Sequence, residues 1–152
     1  MAIVDISTEL DAPPEAVWRA VKTPDAFRRV TRGLLTMPAI RDRHDSWREG
    51  ETVVGWVFLF GILPFSRHTL HVARIDETAM VLTSREKGGL LRRWNHDILV
   101  EKRGETRSTY RDRIDIDAGV FTPAVVLYAN WFYRMRQRRW RRLATTLPKG
   151  SG

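Results

Sequence analysis

The sequence predicts an α+β fold: about seven antiparallel strands packed on one long C-terminal helix, with two short helices after the first strand. Three observations predict it. Residues 34 to 117 read as strands cut by turn signals at intervals of roughly ten residues. Helix-starting prolines stand at Pro13-Pro14 and at Pro24, directly after the first strand. From Thr122 onward no helix breaker appears before Pro148. In a chain of 152 residues this is one expected domain over residues 1–147, followed by a loose tail at 148–152.

Taken in order, Ile3 to Leu10 is the first strand and ends at Asp11-Ala12-Pro13-Pro14. Val17, Trp18 and Val21 then share one face at helical spacing, giving the first helix. Thr23-Pro24-Asp25 supplies an N-cap, a first-turn proline and an acid at the positive end of the helix dipole, and the second helix runs to about Val30. The strand candidates that follow are Leu35 to Arg43, Thr52 to Phe60, Ser66 to Ile75, Met80 to Arg85, Arg92 to Glu101 and Thr106 to Ile116. Glu49-Gly50, Gly61 to Pro64, Asp76-Glu77, Gly88-Gly89 and Arg103-Gly104 separate them, and connections this short imply an antiparallel meander. The last helix begins with Thr122 as N-cap and Pro123 at its first position. Phe121, Val125, Tyr128, Phe132 and Met135 fall on one face, with Asn130, Arg134, Gln137 and Arg141 opposite. Arg139 lies at the centre of the apolar stripe, where a long side chain either snorkels past the sheet edge, the leading expectation, or meets a buried acid.

Composition excludes several classes. The chain has no cysteine, so disulfides, thiolate metal sites and thiol catalysis are out. The apolar runs Val53 to Leu63 and Val120 to Tyr133 are too short to cross a bilayer, no secretory signal pattern opens the chain, and a soluble cytoplasmic protein is expected. The net charge of +8 is local. Seven of the 26 basic residues follow Asp117, after which there is no acid, so the body carries 19 basic against 18 acidic residues. A solvated basic helix end is the plainest reading of that segment. Contact with an anionic membrane through Arg134, Arg138, Arg141 and Arg142 is the alternative; the arginines ring the helix instead of lining one face, which argues against nucleic acid. A monomer, or a homodimer through the exposed flank of the last helix, fits equally.

The motifs add to this. The order of elements, together with Asp11-Ala12-Pro13-Pro14-Glu15-Ala16-Val17-Trp18, Glu49-Gly50-Glu51 before an aromatic strand, and Trp94-Asn95-His96 followed by Asp112, resembles the SRPBCC superfamily. That superfamily shares the helix-grip fold of START lipid-transfer domains, the birch pollen allergen group and polyketide cyclases. The chain looks like a bacterial ligand-binding or cyclase-like subgroup. The resemblance implies a cavity between a curved sheet and the long helix that takes a hydrophobic small molecule such as a lipid, isoprenoid or polyketide-like aromatic. Twelve tryptophans and phenylalanines agree with an aromatic cavity, although a large core uses the same residues.

The polar residues narrow the candidate site. On the strand through His96, Trp94, His96, Ile98 and Val100 share the inward face; on the next, Tyr110, Asp112, Ile114 and Ile116 do. A three-residue loop of Arg103, Gly104 and Glu105 would set His96 directly opposite Asp112, Ile98 opposite Tyr110 and Trp94 opposite Ile114. Such a pair can fix register, orient a ligand, or act as a base with the carboxylate raising the basicity of the imidazole. The expected ligand-binding set is therefore Trp94, His96, Ile98, Tyr110 and Asp112, joined by Trp56 and Phe58 on the aromatic strand and Val125, Tyr128 and Phe132 on the last helix. His68 and His71 point to opposite faces and His44 sits in a charged loop, so no metal is expected. No cofactor is expected either, because the chain lacks a P-loop, a nucleophile elbow and a dinucleotide fingerprint. The leading expectation is a non-enzymatic binder. The alternatives are a cyclase or dehydratase using His96 with Asp112, and a module docking on membrane, RNA or a protein partner through the basic helix.

Overall fold

The computed structural model describes residues 2–149. The chain runs β1 (Ala2–Leu10), α1 (Pro14–Val21), α2 (Pro24–Thr31), β2 (Leu35–Thr36), β3 (Thr52–Leu59), β4 (Leu63–Asp76), β5 (Val81–Gly88), β6 (Leu91–Lys102), β7 (Ser108–Asp117) and α3 (Thr122–Ala144). One seven-stranded antiparallel sheet has the order β1-β7-β6-β5-β4-β3-β2. It is a meander from β2 to β7, with β1 added beyond β7. The sheet curls around α3, and α1 and α2 sit in the long connection that carries the chain from one sheet edge to the other.

Local chemistry accounts for the helix starts. Thr23 Oγ1 accepts from Ala26 N at 3.2 Å, the N-cap bond expected there. α1 buries Ala16, Val17, Trp18 and Val21, and Trp18 Nε1 donates to Glu77 Oε2 at 2.7 Å. That bond ties α1 to the β4–β5 turn. α3 begins one residue differently from expectation. Thr122 is its first residue instead of its N-cap: Oγ1 accepts from Ala118 N at 2.9 Å and donates to Gly119 O at 2.7 Å, bracing a short 3-10 turn at Gly119–Phe121. The helix also stops before Pro148. Thr145 and Thr146 turn their hydroxyls back onto the carbonyls of Arg142 and Leu143, each at 2.7 Å, satisfying acceptors that a helix end leaves open. Of the expected loose tail, residues 150–152 lie outside the described residues, while Lys149 pairs with Asp11.

The strand expected over Leu35 to Arg43 is only two residues long. Pro38 has no N–H to give a ladder, and Pro38–Ile40 form a 3-10 turn whose Ile40 is buried in the core. This turn presses on β3 at Gly55, where a Cβ would stand 2.8 Å from Ala39 Cβ, so the close approach requires glycine. Two apolar clusters form. Leu10, Val17, Val30, Ile40, Val72 and Trp140 belong to one, and Val4, Trp94, Ile114, Ile116, Phe132 and Tyr133 to the other. Residues of both face a common hollow.

Candidate functional site

That hollow is a cavity of about 330 Å³ between the sheet and α3, at the small end of the range for ligand pockets. Most of its wall is apolar: Val57, Leu70, Val72, Leu82 and Ile98 from the sheet, with Val125 and Phe132 from the helix. Strand alternation puts the sheet residues there, since every second side chain of β3 to β6 points to the concave face. Phe121, at the start of α3, is 52% exposed, whereas Trp140 near its end is 2% exposed, so the cavity opens at the N-terminal end of α3 and closes at the other.

Polar groups enter the wall at a few points. His96 and Asp112 meet, with His96 Nε2 donating to Asp112 Oδ1 at 2.7 Å, but not by the expected register. The β6–β7 loop spans Arg103 to Arg107, closed by Arg103 N donating to Arg107 O at 3.0 Å. His96 is therefore opposite Ile114, Ile98 opposite Asp112, Trp94 opposite Ile116 and Val100 opposite Tyr110. The loop is two residues longer than expected, which keeps the inward set intact and shifts the partners by one inward step. His96 reaches Asp112 along the diagonal. Apart from Gly104 the loop residues are polar, and all five are exposed, so one glycine did not fix the loop length.

Asp112 is fully buried and accepts two further bonds, from Tyr110 OH at 3.1 Å and, through Oδ2, from Gln137 Nε2 at 3.1 Å. Burial alone would push its carboxyl up. The hydrogen bond from His96, the positive charge of Arg136 and the Gln137 amide outweigh burial and hold it below its ordinary value. Since the ionised carboxylate is acceptor-only, His96 Nε2 carries a hydrogen, and Nδ1 has no hydrogen-bond partner among the described residues. A second pair lies further along the sheet. His68 Nε2 meets Glu86 Oε2 at 2.9 Å, and Ser84 Oγ donates to Glu86 Oε1 at 2.7 Å. Burial acts to raise Glu86 as well, and the hydrogen bond and charge of His68, joined by His96 and the Ser84 hydroxyl, together outweigh it and leave it lowered. Trp94 Nε1 donates to Tyr133 OH at 3.1 Å. Burial pushes Tyr128 up to about 12, so its hydroxyl stays protonated at neutral pH.

Six of the ten expected residues line the cavity: Trp94, His96, Ile98, Val125, Tyr128 and Phe132. Tyr110 and Asp112 are fully buried behind the wall and support it. Trp56 and Phe58 are not among the residues that line the cavity. β3 carries large apolar residues at both parities, and it is Val57 that is buried, leaving Trp56 outward and 53% exposed. Phe58 follows a bulge at Val57/Phe58 and is likewise outside the lining.

Sequence reasoning missed Arg136 and Gln137. Both are buried on α3, at 4% and 2% exposed, because its buried face runs through Ala129, Phe132, Tyr133, Arg136, Trp140 and Leu143, rotated from the expected stripe. The signal was present in the spacing Phe132, Arg136, Trp140 with Tyr133 beside it. Arg139 ends on the flank, donating to the carbonyls of Val30 and Arg32 at the C-terminal end of α2 instead of passing the sheet edge. Arg134, Arg138, Arg141 and Arg142 are exposed and share one outward stripe, so the arginines do not ring the helix: of the two off that stripe, Arg136 is buried and Arg139 lies on the flank against α2. Among the described residues no three His, Asp or Glu side chains gather to hold a metal ion, and no helix is long and apolar enough to cross a membrane.

A curled antiparallel sheet gripping a long C-terminal helix around an internal cavity defines the SRPBCC type of helix-grip fold. Solved structures agree. A START superfamily protein from Mycobacterium smegmatis superposes with a TM-score of 0.70 at 10% identity, covering 95% of this chain and 97% of its own. Norcoclaurine synthase from Thalictrum flavum, in a complex with a transition-state analogue, gives 0.70 at 11% identity over 95% and 94%. The ZhuI aromatase/cyclase of a Streptomyces species gives 0.69 at 12% identity over 95% and 93%. At such identities the likeness is one of fold. Within that fold the chain belongs to the DUF8410 family, a domain of unknown function whose model matches residues 8–144. No curated protein matches it in sequence.

Proposed function

We propose that the protein binds a hydrophobic small molecule in the cavity between its sheet and α3. The observation that carries this reading is the cavity: about 330 Å³ of space walled mostly by apolar side chains, with a few buried polar groups among them. Open apolar space inside a core forfeits dispersion contacts, and a ligand would restore them. The neighbours include a START superfamily protein and an aromatase/cyclase, which fits such a use of the fold. The test is uptake of the neutral dye Nile red, read by fluorescence, together with native mass spectrometry of the purified protein. Uptake that is lost in Val125→Trp, which fills the lining from a half-buried helix position, supports the reading. A protein that retains no apolar molecule and takes up no dye refutes it.

A second reading rests on His96. Its Nε2 is held by Asp112, its ring lines the cavity, and Nδ1 is unpartnered among the described residues. This is the arrangement of a general base that takes a proton from a bound ligand. In that case His96→Gln abolishes turnover of an aromatic polyketide-like substrate with little change in its binding; loss of binding alone returns His96 to a ligand-orienting role.

The outward stripe of α3 supports ligand exchange at an anionic membrane. Leu127 and Trp131 are exposed on its N-terminal half, beside the mouth, and Arg134, Arg138, Arg141 and Arg142 continue it. Phe60, at the β3–β4 hairpin, packs on Trp131 with ring centroids 6.2 Å apart and extends the apolar rim. Sedimentation with phosphatidylserine-containing vesicles that weakens with salt checks this; binding indifferent to salt counts against it.

A further inference from the structure

Arg136 is the one charged side chain of the cavity wall with no direct ion-pair contact among the described residues, although Asp112 and Glu86 lie near enough to act on its charge. It is 4% exposed, its Nε is buried with no hydrogen-bond partner, and no carboxylate lies within ion-pair distance of its guanidinium. The two nearby acids are already engaged, each by a histidine and a hydroxyl: Asp112 by His96 and Tyr110, Glu86 by His68 and Ser84. Aromatic rings hold the cation in place. Its central carbon lies 5.1 Å from the Tyr133 ring centroid and 5.9 Å from those of Phe27 and Phe132. Rings stabilise the charge without accepting from the guanidinium N–H groups in the way an oxygen would. One turn further along the same helix face, Trp140 Nε1, a donor only, is also buried without an acceptor.

We infer that Arg136 is the receptor for a single carboxylate on the cavity's ligand, which enters with its acid group toward the closed end and its apolar body toward the mouth. This rests on the proposed ligand-binding function and names its chemical class: an amphipathic monocarboxylic acid. The guanidinium presents paired donors in a planar fork that matches a carboxylate. The orientation follows from exposure, since Arg136 and Trp140 are buried while Phe121 and Trp131, nearer the start of α3, are half-exposed. The charge follows from the wall. With Asp112 and Glu86 both held ionised close by, a singly charged head is favoured over a phosphate dianion.

Isothermal titration of the full chain at neutral pH with dodecanoate, dodecanol and dodecyl phosphate tests the assignment. Dodecanoate is expected to bind at least tenfold more tightly than dodecanol and more tightly than dodecyl phosphate. Arg136→Gln is expected to erase the preference for the acid while leaving dodecanol affinity within about twofold, and Arg136→Lys to restore part of it. Equal affinity of the wild type for acid and alcohol overturns the assignment, and this comparison does not depend on any variant folding. Tighter dodecyl phosphate overturns the choice of a monoanion. Dodecanol binding with no gain for dodecanoate sinks only the role of Arg136; binding of none of the three sinks the ligand-binding function as well.

Discussion

Removing the Asp112 carboxylate tests whether the buried polar cluster is a satisfied unit. In Asp112→Ala, His96 Nε2 and Tyr110 OH each lose their acceptor inside the core, whereas Gln137 Nε2 keeps a second one, the Ile6 carbonyl at 2.7 Å. Two orphaned buried donors cost about 1–3 kcal/mol each, so a loss of about 2–6 kcal/mol is expected. That is a large part of a typical domain's total of about 5–15 kcal/mol. Asp112→Asn keeps the shape and one acceptor oxygen, but its amide nitrogen faces Gln137 Nε2, donor against donor. A smaller loss of about 1–3 kcal/mol follows. Urea unfolding followed by tryptophan fluorescence measures both. The sign with pH is fixed by the direction of the Asp112 shift. Its folded value is depressed, so its contribution is full above the unfolded carboxyl value, about pH 4, and fades as pH falls through the folded value below that. The gap between wild type and Asp112→Asn should therefore close on acidification below about pH 4. A loss under about 1 kcal/mol in Asp112→Ala, or a gap that persists in acid, would refute the reasoning.

Gly55→Ala sets a Cβ 2.8 Å from that of Ala39 and is expected to cost about 1–3 kcal/mol in urea unfolding, by pushing the Pro38–Ile40 turn off the sheet. Leu82→Ala, at a lining position 6% exposed, is expected to lose about 2–5 kcal/mol while enlarging the cavity, and Nile red uptake should persist. Trp56→Ser removes an outward ring and should leave dye uptake unchanged; reduced uptake would put Trp56 back in the lining. Tyr128→Phe removes a hydroxyl that is buried without a partner, so stability is expected to hold or rise slightly, by under about 1 kcal/mol on the same urea curves.

The element order was legible because its signals are local. Pro24 after Thr23 starts α2, and the glycine-bearing turns cut the meander where the structure cuts it. Inward parity on β6 and β7 was legible too, because Trp94, His96 and Ile98 alternate with Arg93, Asn95 and Asp97, and only one face of that pattern is apolar. On β3 the same reasoning failed. Trp56 and Val57 are both apolar neighbours, and only packing against Gly55 and the 3-10 turn decides which one turns in. The β6–β7 register depended on a loop length that polar residues do not encode, so the right pair was reached through the wrong alignment. Arg136 was hidden for a different reason. Burying a charge is costly, so hydrophobic patterning assigns arginines to solvent, and only the three rings around it, together with the buried acids, make its position tolerable.

The central claim is that the space between sheet and helix receives a ligand, and methyl chemical shifts read that directly. On titration with dodecanoate, the methyl groups of Val57, Leu70, Val72, Leu82 and Ile98 should shift together and saturate, while those of the outward Ile62 at the β3–β4 turn stay in place. Shifts confined to Ile62 and other exposed methyls, with the cavity methyls unmoved, would contradict it.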